Sequence, residues 1–127
     1  MQRKYYEAYD ERYNKIHSLG LQWFDDQPSG IVLEIINKYF ISKNAPILEI
    51  GCGEGRDASV LLNLGYDLTA TDISHAAILF CREKYPVQAD RFRVLDCISE
   101  SIPQKFDFVY AVAVIHMLVE DTDRAAF

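Results

Sequence analysis

The stretch ILEIGCGEGRD, residues 47–57, limits the fold of this chain more than any other part of its sequence. It joins a short apolar run to three alternating glycines, Gly51, Gly53 and Gly55, and a helix-forming segment follows directly. Glycines at a strand-to-helix turn let the backbone pass close to a ligand, because side chains there would fill the space. The stretch therefore predicts a buried strand, a ligand-binding turn and a helix.

The spacing of the glycines indicates which kind of ligand the turn binds. The pattern G-x-G-x-G differs from the dinucleotide pattern G-x-G-x-x-G, and Arg56 rather than a small residue follows the third glycine. Glu49, two residues before the glycines, would repel a phosphate but could hold an ammonium group, directly or through water. We therefore expect a ligand that carries positive charge.

Apolar runs and helical segments alternate along the rest of the chain. Strands are predicted at 46–51, 66–72, 91–96 and 105–114, with helices at 54–65 and 74–86 between the first three. Strands separated by crossover helices form parallel sheets with right-handed connections. We predict an α/β fold: a Rossmann-like, doubly wound, mainly parallel sheet preceded by N-terminal helices.

Two amphipathic helices are predicted before residue 46. The first carries aromatic residues at helical spacing, and the second starts at Pro28 with an apolar face. The aromatic residues are Tyr5, Tyr9 and Tyr13, and the apolar face consists of Val32, Ile35, Ile36 and Phe40.

Two further acids end predicted strands. Asp72 ends the second strand, about 20 residues after the first glycine, where an acid accepts hydrogen bonds from ribose hydroxyls. Asp96 ends the third strand, where it could accept a hydrogen bond from an exocyclic amine such as that of adenine. Each acid has an alternative interpretation as the cap of a helix or turn. Together with the glycine turn, they predict a nucleoside ligand with a cationic extension.

The segments EIGCGEGRD and TATDIS resemble the first two motifs of the class I S-adenosylmethionine-dependent methyltransferases. The segment FDFVYAVAVIHMLVEDTDRAAF is similar to the fourth strand and following segment of small bacterial members, such as thiopurine and tellurite methyltransferase-like proteins. The resemblance covers residues 46–127, the implied core that binds S-adenosylmethionine. Residues 1–45 match only in layout, as an N-terminal helical lid region of the same domain.

The resemblance also implies a role for individual residues. Glu49 and the backbone of Gly51 would hold the methionine amine, Asp72 would bind the ribose, and Ile73 would pack on the adenine. Asp96 and the backbone of Cys97 would recognise the adenine edge. The expected cofactor-binding set is completed by Cys52, Gly53, Gly55, Arg56, which lines the methionine carboxylate or is solvated, and Ala111, which offers its carbonyl to the methionine part.

The implied reaction is methyl transfer from S-adenosylmethionine to a small-molecule acceptor by in-line displacement, with S-adenosylhomocysteine as product. The protein then mainly supplies proximity, alignment and a dry site, and it needs no metal. A general base is needed only if the acceptor loses a proton, and His116 is the candidate, with a packed or capping histidine as the alternative. The aromatic residues Tyr5, Tyr9, Tyr13 and Trp23 pack, line the acceptor pocket or face the sulfonium through cation–π contact.

Composition limits the partners and the compartment. A net charge of -6 offers no general attraction to nucleic acid or anionic membrane, and no apolar run reaches the length of about 18 residues needed to span a bilayer. Three cysteines without paired spacing, and no pattern of an export signal, favour reduced thiols and the cytoplasm.

The chain ends after four predicted strands, whereas the resemblance implies further ones. We therefore expect a C-terminally truncated chain in which a second copy or another partner covers the open edge of the apolar strand at 106–114. Two other functions stay open. One is a cofactor-binding but inactive fragment or assembly partner. The other is a nucleotide-linked oxidoreductase half-domain, which the glycine spacing and Glu49 disfavour.

Overall fold

The computed structural model describes residues 8–22 and 28–112 of the chain. Its strands are β1 (Ile47–Ile50), β2 (Leu68–Asp72), β3 (Phe92–Val94) and β4 (Phe108–Tyr110). They form one sheet in the order β3-β2-β1-β4, and each neighbouring pair is parallel. The predicted Rossmann-like, mainly parallel sheet is confirmed.

The helices precede and connect these strands. They are α1 (Ala8–Ser18), α2 (Ile31–Lys38), α3 (Arg56–Asn63), α4 (His75–Lys84) and a short 3₁₀ helix (Pro86–Arg91). The helix α3 connects β1 to β2, α4 lies between β2 and β3, and α1 packs on α4. Within 8–22 and 28–112, no helix has the length and apolarity that crossing a bilayer requires.

One face of the sheet carries the core. Ile47, Leu68 and Phe92 point to this face because side chains alternate along a strand, and each is fully buried. The same cluster contains Leu61 of α3 and Ile78 of α4. Burial of each such side chain contributes about 1.5–3 kcal/mol, so the core holds α3 and α4 against the sheet that presents the site.

The second helix differs from the prediction at both ends. It begins at Ile31 rather than Pro28, after Gly30 in a left-handed conformation with φ of 80°. It ends before Phe40, which has φ of 53° and is 90% exposed. The Ile41 N–H bonds the Ile36 carbonyl at 3.0 Å, as in a helix-ending Schellman turn. The expectation that Phe40 belongs to the apolar face is therefore wrong, and Ile41 packs on the core instead.

Some predictions fall on other parts of the chain. Tyr5, Trp23 and His116 lie outside the described residues, as do the last two residues of the fourth predicted strand. Within the described part, β4 pairs with β1 on one side.

Candidate functional site

The predicted site residues gather at the carboxyl edge of the sheet. Parallel strands end at the same edge, so Glu49 near the end of β1 and Asp72 at the end of β2 both lie there, with Asp72 two positions beyond the register partner of Glu49. Asp96 follows β3 by two residues, and Ala111 follows β4 directly. The edge therefore presents two buried acids and the glycine loop together.

The glycine loop connects β1 to α3 with three residues in the left-handed region. Gly51, Gly53 and Gly55 have φ of 76°, 55° and 83°, values that residues with side chains rarely adopt. The N–H of Cys52 donates to the Thr71 carbonyl at 2.8 Å, which fastens the loop to β2. The loop thus needs its glycines for backbone conformation as well as for space.

The space beside two of these glycines is already occupied. A Cβ on Gly53 would lie 3.0 Å from the Tyr13 hydroxyl, and one on Gly55 would lie 3.1 Å from the Cys81 thiol and 3.3 Å from the Phe92 ring. The glycine pattern predicts that the space at Gly55 is left for a ligand. That part of the prediction is wrong, because Gly55 faces the core.

The two thiols nearest the loop are buried. The Sγ atoms of Cys52 and Cys81 lie 3.9 Å and 3.2 Å from the Gly53 carbonyl oxygen. The neighbouring Cys81 thiol and burial both raise the pKa of Cys52, so it stays a neutral thiol. Because this side chain packs inward, Cys52 can contribute to ligand binding through its backbone.

Asp72 joins the loop to the start of α4. Its two carboxylate oxygens accept hydrogen bonds of 2.9 Å from the backbone N–H groups of Gly53 and Ser74. Burial raises the pKa of Asp72, while these two bonds oppose the rise. Each carboxylate oxygen can accept more than one hydrogen bond. The capping interpretation is therefore correct for Asp72, and capacity to bind a hydroxyl remains.

Glu49 is a buried acid with an unused oxygen. Its side chain is 3% exposed, and its Oε1 accepts no hydrogen bond within the described residues. Burial, with the nearby charge of Asp57 and then of Asp72, raises the pKa of Glu49 to about 8. Glu49 is thus mostly protonated at neutral pH in this structure, and a cation placed beside it would favour its ionised form.

Tyr110 lies beside Glu49 on the next strand. The two residues are register partners in the parallel pairing of β1 and β4, so their side chains share one face of the sheet. Burial and the Glu49 charge raise the pKa of Tyr110, which keeps its hydroxyl protonated. Tyr110 belongs to a strand whose apolar pattern predicts burial, but such a pattern does not predict which polar atoms meet.

The first helix covers the loop. The hydroxyl of Tyr13, above Gly53, belongs to a buried side chain of α1. One helical turn later, His17 Nε2 lies 2.8 Å from Glu54 Oε2, in a pair whose side chains are 14% and 1% exposed. The His17 ring also stacks on Phe80 of α4 at 4.2 Å between ring centres.

The same helix also caps α4. Asp10 Oδ1 accepts hydrogen bonds from the Ser74 hydroxyl at 2.7 Å and from the Ala76 N–H at 3.0 Å. Asp10, Tyr13 and His17 stand at i, i+3 and i+7, the spacing of one helical face. The same spacing in the sequence indicates that these three residues share the face that contacts the loop and α4, although only the tyrosines were predicted to share a face.

The start of α3 is tied to the segment before α2. Asp57 accepts hydrogen bonds from the Ser29 N–H at 2.8 Å and from the Ser29 hydroxyl at 3.1 Å. The charge of Asp57 raises the pKa of the nearby Glu49. The partly buried Arg56 has the opposite effect, because its positive charge favours the ionised form of Glu49. Arg56 is the cation that this helix turn contributes to the site.

The residues expected near an adenine lie at the ends of β2 and β3. Asp96 Oδ1 accepts hydrogen bonds from the N–H groups of Ile98 at 3.0 Å and Ser99 at 3.4 Å, so it caps this turn. Burial, with the charge of Asp96, raises the pKa of the half-buried Cys97. Ile73 is also half-buried, and Ala111 is exposed. The capping interpretation is correct for Asp96 as well.

Within 8–22 and 28–112, no cluster of three or more His, Cys, Asp or Glu residues is arranged to hold a metal ion. The polar groups that the described residues bring to this edge are the carboxylates, backbone N–H groups of the loop, the Arg56 side chain and the hydroxyls of Tyr13 and Tyr110.

Comparison with known proteins identifies a family model described as a methyltransferase domain, which matches residues 48–127. Hemagglutinin 1 of Eikenella corrodens is 34% identical over 76 residues, which are 56% of this chain and 24% of that protein. The probable S-adenosyl-L-methionine-dependent methyltransferase TehB of Haemophilus influenzae is 26% identical over 87 residues, which are 67% of this chain and 30% of that protein.

Solved structures share the fold. A structure described by the conversion of a disulfide bond into a thioacetal group during echinomycin biosynthesis has a TM-score of 0.72 at 26% identity, covering 94% of this chain and 52% of that one. The glycopeptide N-methyltransferase MtfA complexed with (S)-adenosyl-L-methionine has a TM-score of 0.66 at 20% identity, covering 79% of this chain and 46% of that one. This chain thus spans about half of these structures and less than a third of the two curated relatives.

Proposed function

Because the chain belongs to the methyltransferase domain family, we propose that it binds S-adenosylmethionine and transfers the methyl group to a small-molecule acceptor. The observation that carries this proposal is the buried Glu49 Oε1, which has no hydrogen-bond partner within the described residues and lies where the glycine loop begins. An unsatisfied buried carboxylate oxygen is costly, and an ammonium group is the partner that satisfies it best. The residues present therefore fit the amine of a methionine moiety.

The nucleoside part would bind at the next two strand ends. In our proposal Asp72 accepts hydrogen bonds from the ribose hydroxyls with its remaining lone pairs while it keeps holding the loop. Ile73 packs on the adenine, and the unbonded side of Asp96 with the Cys97 backbone meets the adenine edge. The rest of the proposed contacts come from the backbones of Gly51, Cys52, Gly53 and Ala111 and from the Arg56 side chain, while Gly55 shapes the loop.

The bound cofactor supplies an activated methyl group on a sulfonium. What this chain adds is alignment and exclusion of water, because in-line displacement depends on both. The buried loop, closed from above by α1, provides such a dry edge in the described residues. This is the basis for proposing that residues 1–45 act as a lid over a core at 46–127.

The acceptor is the second part of the reaction. MtfA is described as a glycopeptide N-methyltransferase, and the net charge of -6 disfavours a polyanionic acceptor. We propose a small soluble acceptor, His116 as general base if the acceptor loses a proton, and a cytoplasmic setting in which Cys52, Cys81 and Cys97 stay free thiols. The expected pairing of the β4 edge with a second chain stays a prediction.

A second candidate is cofactor binding without turnover. The chain covers only 24% and 30% of the two curated relatives, so segments on which their activity depends can lie outside the match. In this case the cofactor site is intact and the acceptor pocket is not.

Calorimetric titration tests the cofactor and turnover tests the reaction. The chain should bind S-adenosylhomocysteine at least about tenfold more tightly than NAD, a difference of about 1.4 kcal/mol. Incubation with S-adenosylmethionine and a panel of small thiols, amines and oxyanions should then form S-adenosylhomocysteine. Binding without any turnover would favour the second candidate, and tighter binding of NAD would contradict both.

A further inference from the structure

We propose that the Tyr110 hydroxyl positions the Glu49 carboxylate toward the amine of the methionine moiety, an inference that rests on the proposed function. Tyr110 is thereby a positioning residue and acts on the ligand through Glu49. No role for this tyrosine followed from the strand pattern or from the motifs of the chain.

The first support is geometric. Glu49 and Tyr110 are register partners on adjacent parallel strands, whose backbones lie about 4.8 Å apart, and both side chains stand on the same face. The Glu49 Oε1 and the Tyr110 hydroxyl are both buried, and neither has a hydrogen-bond partner within the described residues. A donor and an acceptor that are unused, buried and adjacent form a pair that a small side-chain rotation completes.

The second support is the chemistry around Glu49. The groups facing it are Asp57 and Arg56 from α3, Asp72 from β2, Tyr110 from β4 and the Cys52 thiol from the loop. The two carboxylates disfavour its ionised form, Arg56 favours it, and a hydrogen bond from the Tyr110 hydroxyl would favour it as well. Tyr110 is the hydroxyl donor of this group, and its place in the sheet fixes the direction from which it donates.

The third support is a contrast along β4. Phe108 stands on the same face of the strand, level with the apolar Ile47, and its ring is 5.6 Å from that of Tyr110. At position 108 a phenylalanine is enough to fill the space, so packing by itself does not require a hydroxyl on this face. Only the position level with Glu49 carries a hydroxyl, although an unpartnered buried hydroxyl lowers stability.

The test compares two ligands that differ in the amino acid part, which carries the amine. S-adenosylhomocysteine carries the amino acid part, and 5′-methylthioadenosine has the same nucleoside and thioether without it. Tyr110→Phe should weaken binding of S-adenosylhomocysteine about 5- to 20-fold and leave 5′-methylthioadenosine within about twofold, since one hydrogen bond to a charged group is lost. The matched control is Tyr66→Phe, a half-buried tyrosine packed on the core elsewhere, which should change neither affinity.

A double-mutant cycle separates positioning from general structure. In the Glu49→Gln background, Tyr110→Phe should cause no further loss of affinity for S-adenosylhomocysteine. The carboxylate charge that the hydroxyl orients is absent from this variant. Equal losses for both ligands, no loss for either, or additive effects of the two substitutions would overturn the inference. Tyr110→Phe should fold, because it only removes a buried hydroxyl that has no hydrogen-bond partner within the described residues. A Tyr110→Phe chain that does not fold would show that the hydroxyl is structural and would also overturn the inference. A wild-type chain that binds neither ligand would instead overturn the proposed function.

Discussion

The carboxylate of Asp72 accepts a hydrogen bond of 2.9 Å from the backbone N–H of Gly53, so the acid that ends β2 holds the loop that follows β1. Its other oxygen holds the N–H of Ser74 at the same distance. One side chain therefore fixes the glycine loop and the start of α4, and its oxygens can still accept hydrogen bonds from a ribose. Substitutions at Asp72 must report on both roles.

Asp72→Ala should destabilise the fold by about 1–3 kcal/mol, because one buried and one partly buried backbone donor lose their acceptor. Asp72→Asn should cost less stability, since it keeps one acceptor oxygen, yet it should still weaken S-adenosylhomocysteine binding. Urea unfolding and calorimetry on both variants separate the two effects. An Asp72→Ala chain as stable as wild type would contradict the observed role in the loop.

Glu49 should make the chain less stable as the pH rises. Its pKa is about 8 in the folded state against 4.5 for a free glutamate, so its contribution is fully present below pH 4.5 and is lost as the pH rises toward 8. Glu49→Gln should remove this loss, which amounts to about 1.4 kcal/mol for each pH unit between the two pKa values. The measurement is urea unfolding of both chains at several pH values without ligand. If the free energy of unfolding changed with pH in the same way in both chains, Glu49 would not be a buried acid with a raised pKa.

Gly53→Ala should destabilise the loop for two separable reasons. The backbone φ of 55° strains any side chain, and the added Cβ would lie 3.0 Å from the Tyr13 hydroxyl. The loss should reach about 1–2 kcal/mol, and Tyr13→Phe in the same chain should restore part of it, because only the contact is relieved. Thermal unfolding of the single and double variants gives the comparison. A double variant no better than the additive sum would mean that the Tyr13 hydroxyl does not lie over Gly53.

Asp10→Ala should loosen α1 from the site. The change removes the acceptor for the Ser74 hydroxyl and the Ala76 N–H, a capping loss of about 1 kcal/mol. Hydrogen exchange should quicken in α1 and in the first turn of α4. Asn14→Ala, an exposed position on the same helix, is the control and should leave exchange in α4 unchanged. Equal exchange in the two variants would contradict the docking of α1 through Asp10.

The features that the sequence predicted are those with a local pattern. Apolar runs predicted the strands that contain Ile47, Leu68 and Phe92, and the three glycines predicted the turn between the first strand and the helix after it. The gathering of Glu49 and Asp72 followed from the parallel sheet alone. These inferences need only period, turn chemistry and topology.

The features that the sequence did not predict are contacts between segments far apart along the chain. His17 meets Glu54 across 37 residues and Asp10 meets Ser74 across 64, and no periodicity encodes such pairs. Gly55 was assigned to a ligand because a glycine does not reveal which neighbour occupies its missing side chain. Phe40 was assigned to the core because helical spacing does not indicate where the helix ends.

The central claim is that Glu49 receives the amine of the cofactor. The most direct measurement is calorimetric titration with S-adenosylhomocysteine near pH 6.5, repeated in buffers of different ionisation enthalpy, which counts the protons exchanged on binding. Because Glu49 starts protonated, with a pKa of about 8, and should ionise beside the ammonium group, binding should release about one proton per ligand. Glu49→Gln should bind more weakly and release none. Tight binding without proton release in the wild-type chain, or the same release from Glu49→Gln, would contradict the claim.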